Sequence, residues 1–135
     1  MKDSISAEDR HSLVQYRLQR SYDTLKEADY NAAGTFYNTA VNRLYYAAYY
    51  AVSALLLANC VEANTHAGVK TMLSLKFIKT GLLDPIYGRT FMTLFENRQS
   101  GDYEDFVYCD AELYALLRPK SEELINAVAA LISNS

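Results

Sequence analysis

Apolar positions recur along this chain at helical spacing, and five segments can be drawn from them. In the first, Val14, Leu18, Tyr22 and Leu25 step by four, four and three residues. That segment opens at Ser6, with Asp9 three residues later in a variant of the capping box, and ends before Gly34. The second runs from about Thr35 to Cys60 and is apolar nearly all round, rich in Ala, Leu, Tyr and Val. A helix of that kind is buried on several sides, so it is expected at the centre of the fold.

A short loop with Asn64 and Thr65 leads to a third segment, about His66 to Thr80, with Thr65 as N-cap and Gly81 in the left-handed position that ends it. The fourth begins at Asp84-Pro85, an N-cap followed by proline in the first turn, and carries Tyr87, Phe91 and Leu94 on one stripe as far as Ser100-Gly101. The fifth covers roughly Asp110 to Ile132, with Leu113, Leu117, Leu124, Val128 and Leu131 facing inward. Pro119 lies inside it and is expected to kink or split it. The stretch from Asp102 to Cys109 fits no element clearly. Long helices with short connections pack antiparallel, so the expected fold is all-α, an antiparallel bundle of four to five helices. A tyrosine-rich helix that so small a bundle surrounds only in part also points to a homodimer seam.

Length and composition agree. The chain has 135 residues, enough for one domain over 1–135, and its five Gly and two Pro leave few turns for a sandwich or barrel. The formal charge of −3 supplies no global basic field for nucleic acid, so such a role would need a local patch. Cys60 and Cys109 are far apart, without metal-type spacing, and are read as two thiols of a reducing cytosol. No apolar stretch follows the N-terminus as in a signal peptide, and the most apolar window, Leu44 to Ala58, is too short and too polar to span a bilayer. A cytoplasmic protein without a membrane role is expected.

Most catalytic signatures are missing: there is no phosphate-cradling glycine loop, no HExxH and no Gly-x-Ser-x-Gly. With His11 and His66 the only histidines, neither a metal site nor a cofactor is expected. His11 is read as first-helix surface, and His66 as a surface residue opening the third helix.

Two features remain. On the second helix, Asn38, Asn42, Tyr45 and Tyr49 share one face, and Arg43, Tyr46 and Tyr50 the adjacent one. Polar groups there need partners if buried, so the run is either a core and dimer seam or a groove for nucleotide or RNA. The second feature is Arg98, one helical step beyond the stripe of Tyr87, Phe91 and Leu94. Between Glu96 and Glu112 six acids stand against this one base, which favours Arg98 tied to neighbouring carboxylates over Arg98 aimed at a phosphate.

Together these features resemble the HEPN domain (higher eukaryote and prokaryote nucleotide-binding). The resemblance rests on Asn42-Arg43-Leu44-Tyr45-Tyr46-Ala47-Ala48 with Ala54-Leu55-Leu56-Leu57, then Thr65-His66-Ala67-Gly68-Val69, Lys79-Thr80-Gly81-Leu82 and Arg98-Gln99-Ser100-Gly101-Asp102-Tyr103, in that order. It implies an antiparallel helical bundle that dimerises through its central helices, with a cleft at the seam. Family members that cut RNA carry Arg, a polar residue and, after four to six intervening positions, His; the Arg steadies the phosphate and the His handles a ribose 2′-hydroxyl proton without metal. Arg98 matches the Arg and Gln99 the polar residue, but Tyr103 stands where the His belongs. A phenol is ionised to about one part in a thousand at pH 7. Loss of the base would remove on the order of 4 kcal/mol of catalysis, unless His66 were brought to Arg98.

The resemblance therefore implies a nucleotide- or RNA-related binding or interaction module, a homodimer paired with a small nucleotidyltransferase in a toxin–antitoxin system. Arg98 and Tyr103 are the candidate reactive residues, and Asn42, Arg43, Tyr46, Gln99 and Asp102 the candidate binding residues. Two alternatives stand beside it: a metal-independent endoribonuclease toxin using Arg98 with Tyr103, and a purely structural helical dimer. The departed motif tilts the reading away from an enzyme.

Overall fold

The computed structural model describes residues 5–98 and 108–134. Helix α1 spans Ala7–Ala33, α2 Tyr37–Ala58, α3 His66–Leu73, α4 Pro85–Asn97 and α5 Ala111–Ser133. Among the described residues there is no strand.

Each helix starts where a side chain can take an orphan N–H. Ser6 accepts from Asp9 N, Thr65 from Gly68 N, Asp84 from Ile86 N and Asp110 from Leu113 N. The exception is α2, whose N-cap Phe36 makes no side-chain cap. Gly81 has φ of +83° as expected, but at the α1–α2 corner the left-handed residue is Thr35 (φ 66°), with Gly34 on ordinary backbone before it.

α2 is the central element. It touches α1, α3, α4 and α5, and it buries eleven residues from Ala40 to Leu56. Arg17 reaches the carbonyl of Ser53, Arg20 the hydroxyl of Tyr50, Ser21 the carbonyl of Ala47, and Glu27 lies 3.6 Å from Arg43. These partners descend α2 as they ascend α1, so the two helices are antiparallel. α5 also runs antiparallel to α1, with Asn126 on Tyr22 and Arg118 on Asp29. Leu44, Leu55, Phe91, Leu94, Leu117 and Leu124 are enclosed between these helices. Each such side chain contributes about 1.5–3 kcal/mol of apolar burial.

Two expectations are corrected here. The third segment is not one α-helix to Thr80: α3 ends at Leu73 and the chain makes a π-helical turn over Ser74–Ile78, with Lys79 N bonded to Ser74 O. Pro119 does not split α5, which continues through it. Pro119 and Ala115 both lie on the exposed side, so water can take the carbonyl that the missing proline N–H leaves open. No helix among the described residues is long and apolar enough to cross a membrane.

Candidate functional site

The most unusual side-chain cluster sits where the middle of α2 meets the first turn of α3 and the last residue of α4. Tyr45, from the middle of α2, is wholly buried. Its hydroxyl lies 2.5 Å from Nδ1 of His66, the first residue of α3. The imidazole is stacked on Tyr49 at 4.5 Å between ring centroids and on Tyr45 at 5.6 Å, and meets Tyr46 edge-on at 5.8 Å. Phe91 and Phe95 of α4 close the other side of Tyr45.

Arg98 ends α4 on extended backbone. Its guanidinium lies over the rings of Phe95 (3.9 Å) and Tyr45 (5.4 Å), and Nη1 donates to the carbonyl of Phe95 at 2.7 Å. Among the described residues, stacking and one carbonyl engage only part of the guanidinium's five N–H donors. Among the described residues no carboxylate pairs with Arg98. The ion pair favoured from the sequence is therefore absent from this part of the chain, and the local acids Glu96, Asp110 and Glu112 do not supply it.

His66 was expected as surface. It does open α3, but it is half-buried against α2. Burial first, and the charge of Arg98 second, hold its pKa below the ordinary imidazole value. Burial raises the Tyr45 phenol well above its usual value, which the Arg98 charge only partly offsets. At neutral pH both groups are therefore uncharged. A buried phenol O–H must donate, and Nδ1 is the acceptor it reaches, so the imidazole proton sits on Nε2. Nε2 has no partner among the described residues. The site thus offers one cationic donor set, on Arg98, and one neutral N–H, on His66, around a single tyrosine.

The cluster continues along the exposed side of α2. Tyr46 touches Tyr45, Tyr49 and Tyr50 ring to ring, and Tyr50 touches Tyr49. Arg43 lies over Tyr46 at 5.0 Å and Arg20 over Tyr50 at 4.9 Å, while burial raises the Tyr49 pKa and nearby Arg17 offsets part of that rise. Four arginines thus border one connected tyrosine surface. Of these, Arg43 is also paired with Glu27 at 3.6 Å.

Of the residues singled out from the sequence, Arg98, Arg43 and Tyr46 meet here. Arg43 also donates to Asn42 Oδ1 at 2.9 Å, so Asn42 orients that arginine. Asn38, placed by spacing on the face of Asn42, instead accepts the backbone N–H of Cys109 and ties the start of α5 to α2. Tyr103, Gln99 and Asp102 lie outside the described residues. Sequence reasoning had Tyr45 and Tyr49 on one face of a possible groove and His66 only as a substitute base should it reach Arg98, and it passed over Arg20. The available signal was Thr65-His66, a capped helix start that must fold back on a tyrosine-lined α2. No group of three or more metal-ligating side chains occurs among the described residues.

Comparison with known proteins agrees with the all-α fold. The HEPN domain pattern matches residues 14–133. A protein of Thermotoga maritima named "UPF0332 protein" is 32% identical over 126 residues, covering 93% of this chain and 96% of its own. Two proteins of Methanocaldococcus jannaschii, each named "Putative toxin", are 29% identical over 109 residues and 32% identical over 90. The first of these matches covers 81% of this chain and 74% of the relative, and the second 67% of each.

Proposed function

The chain belongs to the HEPN domain family, and on that premise we propose that it is a toxin-like cytoplasmic protein whose tyrosine–arginine face binds RNA. The bundle would work as a single domain and as a homodimer through α2, partnered by a small nucleotidyltransferase that restrains it. The observation that carries the reading is that Arg98 and His66 both lie against Tyr45, the guanidinium over its ring and Nδ1 at its hydroxyl, with the charge of Arg98 felt at the imidazole.

A phosphodiester oxygen is the ligand that such a pair fits. Arg98 supplies charge and a planar fork, and His66 supplies a hydrogen bond without needing to be protonated. Tyr46, Tyr49 and Tyr50 give faces on which bases can stack, and Arg43 and Arg20 follow the backbone beyond. Asn42 holds Arg43 in place.

The same geometry favours holding over cutting. A base for the 2′-hydroxyl must accept a proton, and an imidazole that carries hydrogen on Nε2 cannot accept one there while Tyr45 occupies Nδ1. His66 beside Arg98 is nevertheless the feature that favours a second reading, metal-independent cleavage, which requires Tyr45 to release Nδ1.

Incubation of wild type and Arg98→Ala with structured and unstructured RNA in EDTA decides between the two. Binding without cleavage, weakened in Arg98→Ala, supports the proposal. Cleavage that Arg98→Ala abolishes would replace it with the second reading. No binding by wild type would overturn both.

A further inference from the structure

A second surface lies outside this site, in the trough between α3 with its π-turn and α4. Its floor is Leu73, Ile78, Phe91 and Met92, and it encloses about 550 Å³. Leu75 on the lip is 44% exposed, and Ile86, near the start of α4, 45%. The π-turn shapes it: one extra residue per turn leaves Phe77 inside while Leu75 stands outside. Gly88 lets the two walls approach, because a Cβ there would fall 2.5 Å from Ile78 Cδ1.

Both walls are cationic. Lys70 and Lys79 stand on one side and Arg89 on the other, and among the described residues no acid lines the trough. From His66 to Leu94 the bases Lys70, Lys76, Lys79 and Arg89 meet one acid, Asp84, in a chain that is acidic as a whole. These bases have no ion pair among the described residues. The one aromatic of the floor, Phe91, is 1% exposed and already stacked on Tyr45, so no ring face is open on which a nucleobase could stack, unlike the tyrosines of α2. Apolar side chains below and carboxylates at both edges would satisfy the trough together.

We propose that this trough is the docking site of an acidic amphipathic helix from a partner protein, seated with its apolar face on Ile78, Phe91 and Met92 and its carboxylates against Lys79 and Arg89. A helix laid between two helices presents anchors at i, i+4 and i+7, which match a floor drawn from both walls. The trough shares α3 and α4 with the RNA face, and Phe91 is common to both, since its ring stacks on Tyr45 at 5.6 Å. A partner seated here grips the two elements that carry His66 and Arg98, and leaves those side chains uncovered.

The test uses the full chain and two fluorescein-labelled helical 18-residue peptides with leucine at i, i+4 and i+7, one flanked by glutamates and the other by lysines. The glutamate peptide binds, loses affinity with added salt, and binds at least tenfold more weakly to Lys79→Glu/Arg89→Glu. The exposed control Lys120→Glu binds as wild type does, and circular dichroism verifies that every variant is folded. Equal binding of both peptides, or indifference to the double reversal, overturns the proposal. So does conversion of a dimer to a monomer by Lys79→Glu/Arg89→Glu in sedimentation, which would give the trough to a second copy of the chain. Loss of RNA affinity in that variant with peptide binding intact would assign the trough to nucleic acid and equally overturn it. Peptide binding by wild type in the absence of RNA binding would leave the docking site standing while removing the function proposed above.

Discussion

The hydroxyl of Tyr45 and Nδ1 of His66, 2.5 Å apart, join the centre of α2 to the first residue of α3, and with the buried phenol donating, the imidazole hydrogen is left to Nε2. The bond is local chemistry with a functional result, since it gives Arg98 a neutral hydrogen-bond donor as its neighbour. ¹⁵N NMR of the histidine ring at pH 7.5 is expected to show the Nε2–H tautomer for His66. Tyr45→Phe should lose that bias and about 1 kcal/mol of stability, because Nδ1 is left without its donor.

The lowered pKa of His66 makes a signed prediction. Between the folded value and the unfolded value near 6.5, the unfolded chain binds more protons, so stability rises with pH through this window. The contribution of His66 is complete above about 6.5 and is lost as pH falls toward the folded value. Denaturant unfolding of wild type and His66→Gln from pH 5 to 8 should show this difference. RNA affinity, resting on a neutral donor, should stay flat from pH 7 to 8.5 and increase below the folded pKa as His66 gains charge.

Tyr46 and Tyr49 should act through their rings. Tyr46→Ala is expected to weaken binding of a single-stranded oligonucleotide by about 1–2 kcal/mol, with Tyr46→Phe close to wild type. Duplex RNA, which hides its base faces, should respond less. Fluorescence anisotropy on the two substrates gives both comparisons.

Arg118 grips both carboxylate oxygens of Asp29 at 2.8 and 2.9 Å, and Tyr114 donates to the same residue at 2.5 Å. The Arg118 bond outweighs partial burial and holds Asp29 below the usual carboxylate range. That stability is present above the unfolded value near 4 and is lost as pH falls through the lower folded value. Asp29 is 48% exposed, so screening limits the effect. Asp29→Asn should cost about 1 kcal/mol at pH 7 in urea unfolding, and the difference from wild type should shrink as pH falls through the lowered folded value.

Helical stripes, caps and the central place of α2 were legible because they depend on spacing and on residues within one turn of each other. The end of α3 was not, because a π-turn over Ser74–Ile78 keeps the same apolar residues and changes only their register. Pro119 reads as a break, yet its neighbours on α5 are held from outside by Asp29 on α1, which spacing within α5 does not reveal. The candidate site divided along the same line. Arg98, Arg43 and Tyr46 announced themselves by position on their own helices, whereas His66 joins them through a contact 21 residues away in the chain, on a tyrosine that local pattern assigns equally to core or groove.

The central claim is that Arg98 and His66 hold one phosphodiester together, and a double-mutant cycle tests it most directly. RNA affinity would be measured in EDTA for wild type, Arg98→Ala, His66→Ala and the double variant. The expected result is a loss of about 1.5–3 kcal/mol for Arg98→Ala, a smaller loss for His66→Ala, and a double variant scarcely worse than Arg98→Ala alone. Losses that simply add, or an RNA affinity that neither substitution changes, would contradict it.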